Sequence, residues 1–538
     1  MTTADARPWT SAHGVALPDL VPAGLRAAWR ARGACPGRDL YTLFAAHAAA
    51  APDRPAVVDD FGVLDYAALD RRVRRAAAAL RAGGHGPADV IAILLPNGRD
   101  AVVAELAVAA LGAVALPIPH TRGPRDVARL LARSRAAALI AGPDAPDVPA
   151  GTARWTPGDA GGRSLAAVDG AAVRRFRPAC PDAGAPARVL VTSGSEAEPK
   201  MVAYSHDALA GGRGNYLAAL TGGEPARALV LPSLASSYGS LGSVLLARLG
   251  GTLVLLPRFD ADAALRAVER HRPTHLFGVP TMLARMADSP TAADVSSLRV
   301  VVSSAGPLHR HVRDACVRRF GLPPVNVYGS SDGVNCHTGR DPDRFEPDLA
   351  GTPDPDVAEI SVRDEAGRPL PPGSPGEIWA RGPMTPLCYV AAPDLDARYR
   401  ADGGWVRTGD LGVLDSDGAL RVLDRLRRVV LRGGVTLSPV EVERALAAHP
   451  DVADAYCVPV GDADLGERMC ACVAPRRGAA CPPPAELLAH LRGRGIDARQ
   501  LPERFLVLPE LPLGPTGKVC AATLGRLAAA GAVPADAR

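Results

Sequence analysis

Two lysines stand out in a chain whose positive charge is otherwise carried by arginine. Of the 61 Lys and Arg residues, only Lys200 and Lys518 are lysines. Lysine is a compact, mobile point charge on a flexible stem, whereas arginine is a rigid planar fork. We therefore expect this chain to keep lysine only where the arginine fork will not serve, which is a hypothesis about the chemistry at these two positions.

Lys200 lies near the end of a segment rich in small hydroxyl residues, "VLVTSGSEAEPKMVAYSH" (189–206). Backbone amides and hydroxyls of such a loop can hold phosphate oxygens, with a lysine as the counter-charge. The candidate contacts are Thr192, Ser193, Gly194, Ser195 and Lys200. The segment differs from the GxxxxGK[ST] phosphate loop, and a Ser/Gly-rich stretch taken alone is more often an ordinary loop. The segment alone leaves both readings open.

The overall composition and net charge limit the classes of protein to which the chain can belong. With 538 residues, 47% apolar and 22% charged, the chain predicts a soluble protein of two to four domains. A net charge of +4 is too small to indicate nucleic acid or an anionic membrane as a partner. The ten cysteines are scattered, which favours reduced thiols in a cytoplasmic protein. The N-terminus shows no apolar signal region.

One long apolar stretch, residues 101–119, needs a separate interpretation. It contains Glu105, is broken by Gly112 and ends in prolines. These features favour a buried helix followed by a buried strand over a membrane span.

From about residue 65 the pattern alternates between helix and strand. Short apolar runs such as "THLFGVP", "LRVVVSSA" and "PVNVYGSSD" are separated by helical runs such as "DADAALRAVERH". This alternation predicts an α/β protein with parallel sheets. Ligands in such sheets bind beyond the carboxyl ends of the strands, where the loops "SSAG" and "YGSSDG" follow.

After residue 350 the sequence pattern changes to short strand-like runs separated by turn signals, which predicts a small β-barrel-like part. We place a domain boundary near "DRLRR", dividing the chain into 1–424 and 425–538. The second part opens with a helical segment and continues with the strand-like runs "ADAYCVPVG" and "RMCACVAP". It is predicted to be a separate, smaller α+β domain.

Five motifs together resemble one family. The chain is similar to the adenylate-forming superfamily, which comprises acyl- and aryl-CoA synthetases, adenylation domains of peptide synthetases, and luciferases. The resemblance covers nearly the full length, and the motifs that carry it stand in the family's order: the loop at 189–206, "NVYGSSDG" (326–333), "GGWVRTGDLG" (403–412), "DRLRRVVLRGG" (424–434) and "LPLGPTGK" (511–518).

The resemblance implies a two-step reaction. A carboxylate attacks the α-phosphate of ATP, pyrophosphate leaves, and a thiol then takes the acyl group from the adenylate. Lys518 matches the catalytic lysine that contacts both the carboxylate and the phosphate. It lies on the small mobile domain, and rotation near 425–428 is expected to exchange the adenylation site for a thiol site.

The resemblance also implies roles for residues of the large domain. Asp410 matches the acid that accepts the ribose hydroxyls, Arg425 an arginine near the nucleotide, Tyr328 the ring that stacks on adenine, and Asn326 a reader of the adenine amine. Asp332 stands where the family usually has glutamate as the Mg²⁺-associated acid. The remaining expected nucleotide contacts are Gly306, Gly329 and Ser331.

The expected acid pocket departs from several branches of the family. The segment "LPSLASSYGSLGS" (231–243) has no histidine of the acyl-CoA synthetase type and no aspartate that would pair with an α-amino group. We therefore predict a small polar or aromatic pocket for a small aryl, cyclic or short acyl acid. Its expected lining comprises Ser236, Ser237, Tyr238, Ser303, Ser304 and Val334.

Several alternatives stay open at this stage. Glu196 replaces a neutral residue of the usual phosphate loop and places a carboxylate near phosphates unless it points into water. A branch resembling this family uses ATP and nitrite to diazotise aromatic amines, and a non-catalytic nucleotide-binding relative is a further possibility. The acceptor is either CoA or the phosphopantetheine of a separate carrier protein.

Overall fold

The computed structural model describes residues 8–158, 162–192, 199–306, 308–339, 344–346, 348–425, 430–432, 435–437, 439–462, 465–496, 498–514 and 519–534. The predicted site residues Ser193, Gly194, Ser195 and Lys518 lie outside this part of the chain, as does Glu196. Their predicted roles stay predictions.

Helices are distributed along the whole described chain. They are α1 (Ala23–Ala31), α2 (Leu40–Ala50), α3 (Tyr66–Ala82), α4 (Arg99–Leu111), α5 (Pro124–Ser134), α6 (Gly170–Arg175), α7 (His206–Ala208), α8 (Gly214–Thr221), α9 (Leu241–Leu249), α10 (Ala261–His271), α11 (Pro280–Ala287), α12 (Arg310–Phe320), α13 (Pro393–Tyr399), α14 (Val440–Ala447), α15 (Pro484–Gly493) and α16 (Ala521–Gly531).

The strands alternate with these helices up to about residue 330 and then follow one another more closely. They are β1 (Trp9–Thr10), β2 (Ala16–Leu17), β3 (Pro55–Asp59), β4 (Gly62–Asp65), β5 (Val90–Leu94), β6 (Val114–Pro117), β7 (Ala138–Ala141), β8 (Ala153–Trp155), β9 (Pro186–Val191), β10 (Met201–Ser205), β11 (Arg227–Val230), β12 (Thr252–Val254), β13 (His275–Gly278), β14 (Val300–Ser304), β15 (Val325–Gly329), β16 (Asn335–His337), β17 (Leu349–Gly351), β18 (Glu359–Arg363), β19 (Gly376–Arg381), β20 (Cys388–Tyr389), β21 (Arg400–Ala401), β22 (Trp405–Leu414), β23 (Leu420–Arg425), β24 (Val430–Arg432), β25 (Val435–Leu437), β26 (Val452–Asp462), β27 (Gly466–Pro475), β28 (Arg504–Val507) and β29 (Val533–Pro534).

Two large sheets form the first part of the molecule. One has the order β20-β10-β9-β6-β5-β7-β8 and the other β16-β15-β14-β13-β11-β12-β3-β4. The strands from β15 to β3 run parallel, and the edge strands β16 and β4 run antiparallel. The predicted α/β class with parallel sheets is therefore confirmed.

Helix α4 lies in the core that the two sheets share. Every residue from Ala101 to Leu111 is buried, and all of these side chains except that of Glu105 belong to one hydrophobic cluster with residues of β3, β5 and β11. A helix that is apolar all round is stable only when it is covered on all sides. Residues 101–119 thus form a buried helix and a buried strand, as predicted. Among the described residues, no helix is both long and apolar enough to cross a bilayer.

Two smaller sheets follow. The first is antiparallel, with the order β17-β23-β22-β19-β18, and corresponds to the predicted β-rich part. The second has the order β25-β24-β27-β28-β29, with β26 paired to β27, and carries α14, α15 and α16. Sheet membership changes between Arg425, the last residue of β23, and Val430, the first of β24. The division of the chain at 424/425 into independent domains stays a prediction.

Candidate active site

The site begins where the parallel strands β14 and β15 end. In their register Ser303 lies opposite Asn326, and Ser304 lies opposite Val327. The loops that follow both strands therefore lie at one edge of the sheet. Directly after β14, Ala305 has φ 76°, a left-handed conformation that is uncommon for a residue with a Cβ atom. Such conformations persist where the surrounding structure fixes them, often at ligand sites.

Tyr328 and Asp410 meet across two different sheets. The Tyr328 hydroxyl donates to Asp410 Oδ2 at 2.6 Å, and Asp410 is 4% exposed. In the β22–β23 pairing, Asp410 lies directly opposite Arg425. The structure therefore gathers three residues that were expected to contact the nucleotide, although Arg425 is placed here by its backbone alone.

Asn326 lies on the same strand as Tyr328, two residues before it. Its amide nitrogen donates to the Leu349 carbonyl at 2.9 Å, and its backbone N–H donates to Thr338 Oγ1 at 2.9 Å. The bond to Leu349 fixes which end of the amide is the donor. The amide oxygen accepts no hydrogen bond from a described residue, so it suits the expected acceptance of an amine hydrogen.

The predicted phosphate loop is closed at its base. The Thr192 N–H donates to the Lys200 carbonyl at 2.9 Å, and the Lys200 N–H donates back to Thr192 Oγ1 at 3.1 Å. The side chain of Arg122 donates to the Thr192 carbonyl at 2.6 Å. The two ends of the loop are thus fixed side by side, at the end of β9 and the start of β10.

Two cations lie against a pair of tyrosines beside this loop. The Lys200 ammonium lies 3.8 Å from the ring centre of Tyr399 and 5.8 Å from that of Tyr389. The guanidinium carbon of Arg400 lies 5.5 Å from the Tyr389 ring centre. The three buried nitrogens of Arg400 make no hydrogen bond, and Asp396 is 3.8 Å away. Positive charge is therefore held where phosphates are expected.

Asp332 is the predicted metal-associated acid. The Tyr389 hydroxyl donates to its Oδ1 atom, and Tyr204 donates to the Ser331 carbonyl at 3.0 Å. Burial and the nearby Asp332 charge raise the pKa of Tyr389, which keeps the donating hydroxyl protonated. Gly333, with φ 103°, completes this turn, and a Cβ atom there would lie 2.6 Å from Pro386.

These surroundings fit a Mg²⁺ ion that is held largely by ATP. The second carboxylate oxygen of Asp332 makes no hydrogen bond to a described residue. No group of three or more acidic, His or Cys ligands occurs in the described part of the chain. Mg²⁺ is usually bound by one or two carboxylates together with substrate phosphates and water, so Asp332 alone is a sufficient protein ligand. When bound, the ion would neutralise charge on the phosphates.

The predicted acid-pocket residues separate into two groups. The Ser236 hydroxyl donates to the Ser233 carbonyl at 2.7 Å and accepts from the Gly239 N–H at 3.0 Å, so it stabilises its own turn. In contrast, Tyr238 donates to the Val302 carbonyl at 3.0 Å, which brings this segment to β14. The hydroxyl of Ser303 there is fully buried and has no hydrogen-bond partner.

The other predicted positions surround this point. Ser304 donates to the Val327 carbonyl at 3.2 Å, and Val334 is fully buried. Gly306 leaves open space, since an added Cβ atom would meet only Pro280 at 3.7 Å. Gly329 pairs with Asn335 where β15 and β16 meet, and an added Cβ atom would lie 3.4 Å from the Asn335 side chain.

Sequence reasoning missed several polar residues that the fold brings to this site. They are Arg122, Tyr204, Arg213, Tyr216, Tyr389, Tyr399 and Arg400. Arg213 offered one signal, because it is a charged residue inside the small-residue run "AGGRGN". The tyrosines gave none, since an aromatic residue at a strand or helix end is most often part of the core.

Comparison with known proteins identifies the family of the chain. The model of the AMP-binding enzyme family matches residues 44–390, and that of the AMP-binding enzyme C-terminal domain matches residues 441–518. The chain belongs to the AMP-binding enzyme family, and it is an ATP-using, AMP-forming ligase that activates an acid as its adenylate.

Three similar proteins illustrate the range of the family. A salicyl-AMP ligase/salicyl-S-ArCP synthetase of Mycobacterium tuberculosis is 32% identical over 93% of this chain and 92% of its own. A feruloyl-CoA synthase of Amycolatopsis is 33% identical over 87% of this chain and 94% of its own. The structure of the amide bond synthetase McbA of Marinactinospora thermotolerans has a TM-score of 0.78 and 31% identity, covering 90% of this chain and 98% of that one.

Proposed function

We propose that this enzyme activates a small aryl or cyclic carboxylic acid and transfers it to the thiol of CoA or of a separate carrier protein. In the first step a carboxylate oxygen bonds to the α-phosphorus of ATP as the bond to the bridging oxygen breaks, releasing pyrophosphate. In the second step the thiolate sulfur bonds to the acyl carbon and AMP leaves.

The nucleotide side of this proposal depends on residues that the fold brings together. Asp410 and Tyr328 form one hydrogen-bonded unit for the ribose and adenine, while Lys200 and Asp332 lie beside the closed base of the phosphate loop. The catalytic cation is assigned to Lys518. A compact ammonium suits this role because it can contact carboxylate and phosphate oxygens at once as charge moves between them.

The acid class is supported chiefly by one observation, the contact of Tyr238 with β14 beside the buried, unpartnered Ser303 hydroxyl. An apolar cavity lined in part by Leu217, Tyr238 and Phe277 measures about 10 Å³ and is too small for a long alkyl chain. Arg213, a cation, donates to Ser237 of this segment. The carboxylate that contacts the segment at Ser243, Glu105, is already paired with Arg188. An α-ammonium group would therefore have no unpaired acid here. The similarity to enzymes named for salicylate and ferulate supports the same class.

The test is exchange of labelled pyrophosphate into ATP with a panel of carboxylic acids. We expect exchange to be strongest with small aryl or cyclic acids and weak with α-amino acids, because the pocket lacks an acidic partner for an ammonium group. Long-chain fatty acids are expected to be poor substrates. Product analysis with CoA and with a phosphopantetheinylated carrier protein then identifies the acceptor.

Nitrite with an aminoaryl acid is the necessary comparison in the same assay. Release of AMP only when nitrite and an aromatic amine are both present would replace the ligase proposal by diazotisation. Nucleotide binding without turnover on any member of the panel would instead favour a non-catalytic role.

A further inference from the structure

Arg213 is a buried cation beside the proposed acid pocket. Its residue exposure is 3%, and it ends a π-helical turn, Leu209–Arg213, just before α8. Two flanking glycines hold this turn against its neighbours: an added Cβ atom would lie 2.1 Å from Met384 at Gly212 and 2.7 Å from Arg248 at Gly214. The position of Arg213 is therefore set by close backbone packing.

The partners of Arg213 are all uncharged. Nη1 donates to the Ser237 carbonyl at 2.7 Å and to Ser240 Oγ at 2.8 Å, and Nη2 donates to Ser237 Oγ at 2.6 Å. The guanidinium carbon lies 5.3 Å from the centre of the Tyr204 ring. No carboxylate of the described residues lies within the 4.0 Å ion-pairing distance, and Nε is buried without a partner.

A buried charge without a counter-charge is costly, and proteins normally pair it. The other buried arginine of this region, Arg188, has such a partner in Glu105. The contrast indicates that the counter-charge of Arg213 arrives with a ligand.

Further unpartnered polar atoms are buried on α8 and on β14 and β16, the strands that Tyr238 and Tyr216 contact. The hydroxyls of Tyr216 and Ser303 and the amide oxygen of Asn335 are buried without hydrogen-bond partners. Tyr216 follows Arg213 by one helical turn, and its ring centre lies 5.5 Å from that of His337 at the end of β16. Buried polar atoms are normally satisfied, so this group indicates a polar ligand portion.

We propose that the activated acid carries a second anionic oxygen group, such as a second carboxylate or an acidic phenol, and that this group pairs with Arg213. The inference rests on the proposed function and narrows its substrate class. The first carboxylate is directed at the nucleotide, while the second is held by the guanidinium fork, which matches carboxylate geometry.

The experiment compares matched acids in pyrophosphate exchange. Benzoate is paired with the three benzenedicarboxylates and with hydroxynitrobenzoates, whose phenol is acidic enough to ionise near neutral pH, and butyrate is paired with succinate. For the wild-type enzyme we expect kcat/KM to be at least about 30-fold higher for one acid with a second anionic group than for its partner, the discrimination typical of a buried charge pair.

The variants separate recognition from folding. Arg213→Met is expected to remove this preference while exchange with the singly charged acid persists, and Arg213→Lys is expected to retain part of it. Arg248→Met is the matched control, because Arg248 packs on the same turn at Gly214 but makes no contact with Ser237. It should leave the ratio unchanged.

The outcomes distinguish a failure of this inference from a failure of the proposed function. A wild-type preference for singly charged acids, or an equal loss for all acids in Arg213→Met, would show that Arg213 only holds the Ser237–Ser240 turn. The ligase function would then stand. Absence of exchange with every carboxylate would overturn the proposed function itself. The wild-type panel decides the question even if Arg213→Met does not fold.

Discussion

At the scale of single residues, the site is a set of cations placed around expected phosphate and carboxylate oxygens. Lys200 lies against Tyr399 beside the loop closed by Thr192, and Arg400 lies against Tyr389. Aromatic faces can hold a cation without neutralising it, unlike a carboxylate. Positive charge is therefore placed beside the base of the phosphate loop, and the remaining lysine, Lys518, is assigned to the reacting atoms.

Lys518→Ala is expected to abolish adenylate formation, measured as pyrophosphate exchange, while transfer of a chemically prepared adenylate to its thiol is largely retained. The reason is that the lysine stabilises charge only during attack on the α-phosphate. Lys518→Arg serves as the control for charge, and we expect it to remain strongly impaired because a planar fork commits to one partner. Equal loss of both half-reactions in Lys518→Ala would contradict the assignment.

At the scale of elements, a buried ion pair connects the two large sheets. Arg188 on β9 donates to Glu105 on α4 and, at 2.6 Å, to the Leu234 carbonyl. Glu105 in turn accepts from Ser243 of α9 at 2.9 Å. This network fixes the β11–α9 connection, which carries Ser237 and Tyr238, relative to the helix shared by both sheets.

Arg188→Met is expected to lower the free energy of unfolding by about 3–5 kcal/mol, because it leaves Glu105 charged and buried without its partner. Denaturant unfolding followed by circular dichroism measures the change. The double variant Arg188→Met/Glu105→Leu should regain most of the loss, since it removes both charges.

Arg272→Met is the comparison for an exposed pair. Arg272 and Asp294 are 2.8 Å apart with about half of each side chain exposed, so the change should cost less than about 1 kcal/mol. Similar losses in the free energy of unfolding for Arg188→Met and Arg272→Met would show that the buried network does not stabilise the fold more than an exposed ion pair does.

At the scale of the whole molecule, the C-terminal part meets the large part through polar contacts. Arg285 at the end of α11 and Glu510 are paired at 2.9 Å, and both side chains are at least half exposed. A cavity of about 330 Å³ is lined by His311 and Arg318 of α12 and by Arg476 of the C-terminal part. An exposed ion pair contributes little, so such a contact would oppose the predicted rotation of the C-terminal part only weakly.

Acid should destabilise the molecule through its buried histidines. Burial lowers the pKa of His206 to about 4, and its neutral Nδ1 accepts from the Leu40 N–H at 3.2 Å. Partial burial and the neighbouring His311 likewise lower the pKa of His309 to about 4. A lowered pKa means that the unfolded chain, titrating near 6.5, binds protons first as the pH falls. This stability is full above about pH 6.5 and is lost as the pH falls from there to about 4.

His206→Asn is expected to flatten the fall of Tm between pH 6.5 and 4, because it keeps an acceptor for Leu40 and removes the titration. One proton contributes at most about 1.4 kcal/mol per pH unit to the slope. His13→Asn at an exposed position is the matched control and should leave the curve unchanged. Parallel curves for His206→Asn and the wild-type protein would show that His206 does not carry this dependence.

The sequence by itself determined the elements and the motifs. Helical and strand periodicities are local, so the helical run "DADAALRAVERH" and the strand-like run "LRVVVSSA" could be assigned from neighbouring residues alone. The structure has a helix at Ala261–His271 and a strand at Val300–Ser304. The family motifs likewise lie in short contiguous segments. They identified Tyr328 and Asp410 as candidates for one nucleotide site.

Tertiary structure decided how those segments meet. The hydrogen bond between Tyr328 and Asp410 joins residues 82 positions apart, and the bond from Arg188 to Glu105 joins residues 83 apart. No local pattern encodes such contacts, because they depend on how sheets pack against a shared helix. The same holds for Arg213: its charge is visible in the sequence, but its burial without a carboxylate results only from the packing of distant segments around it.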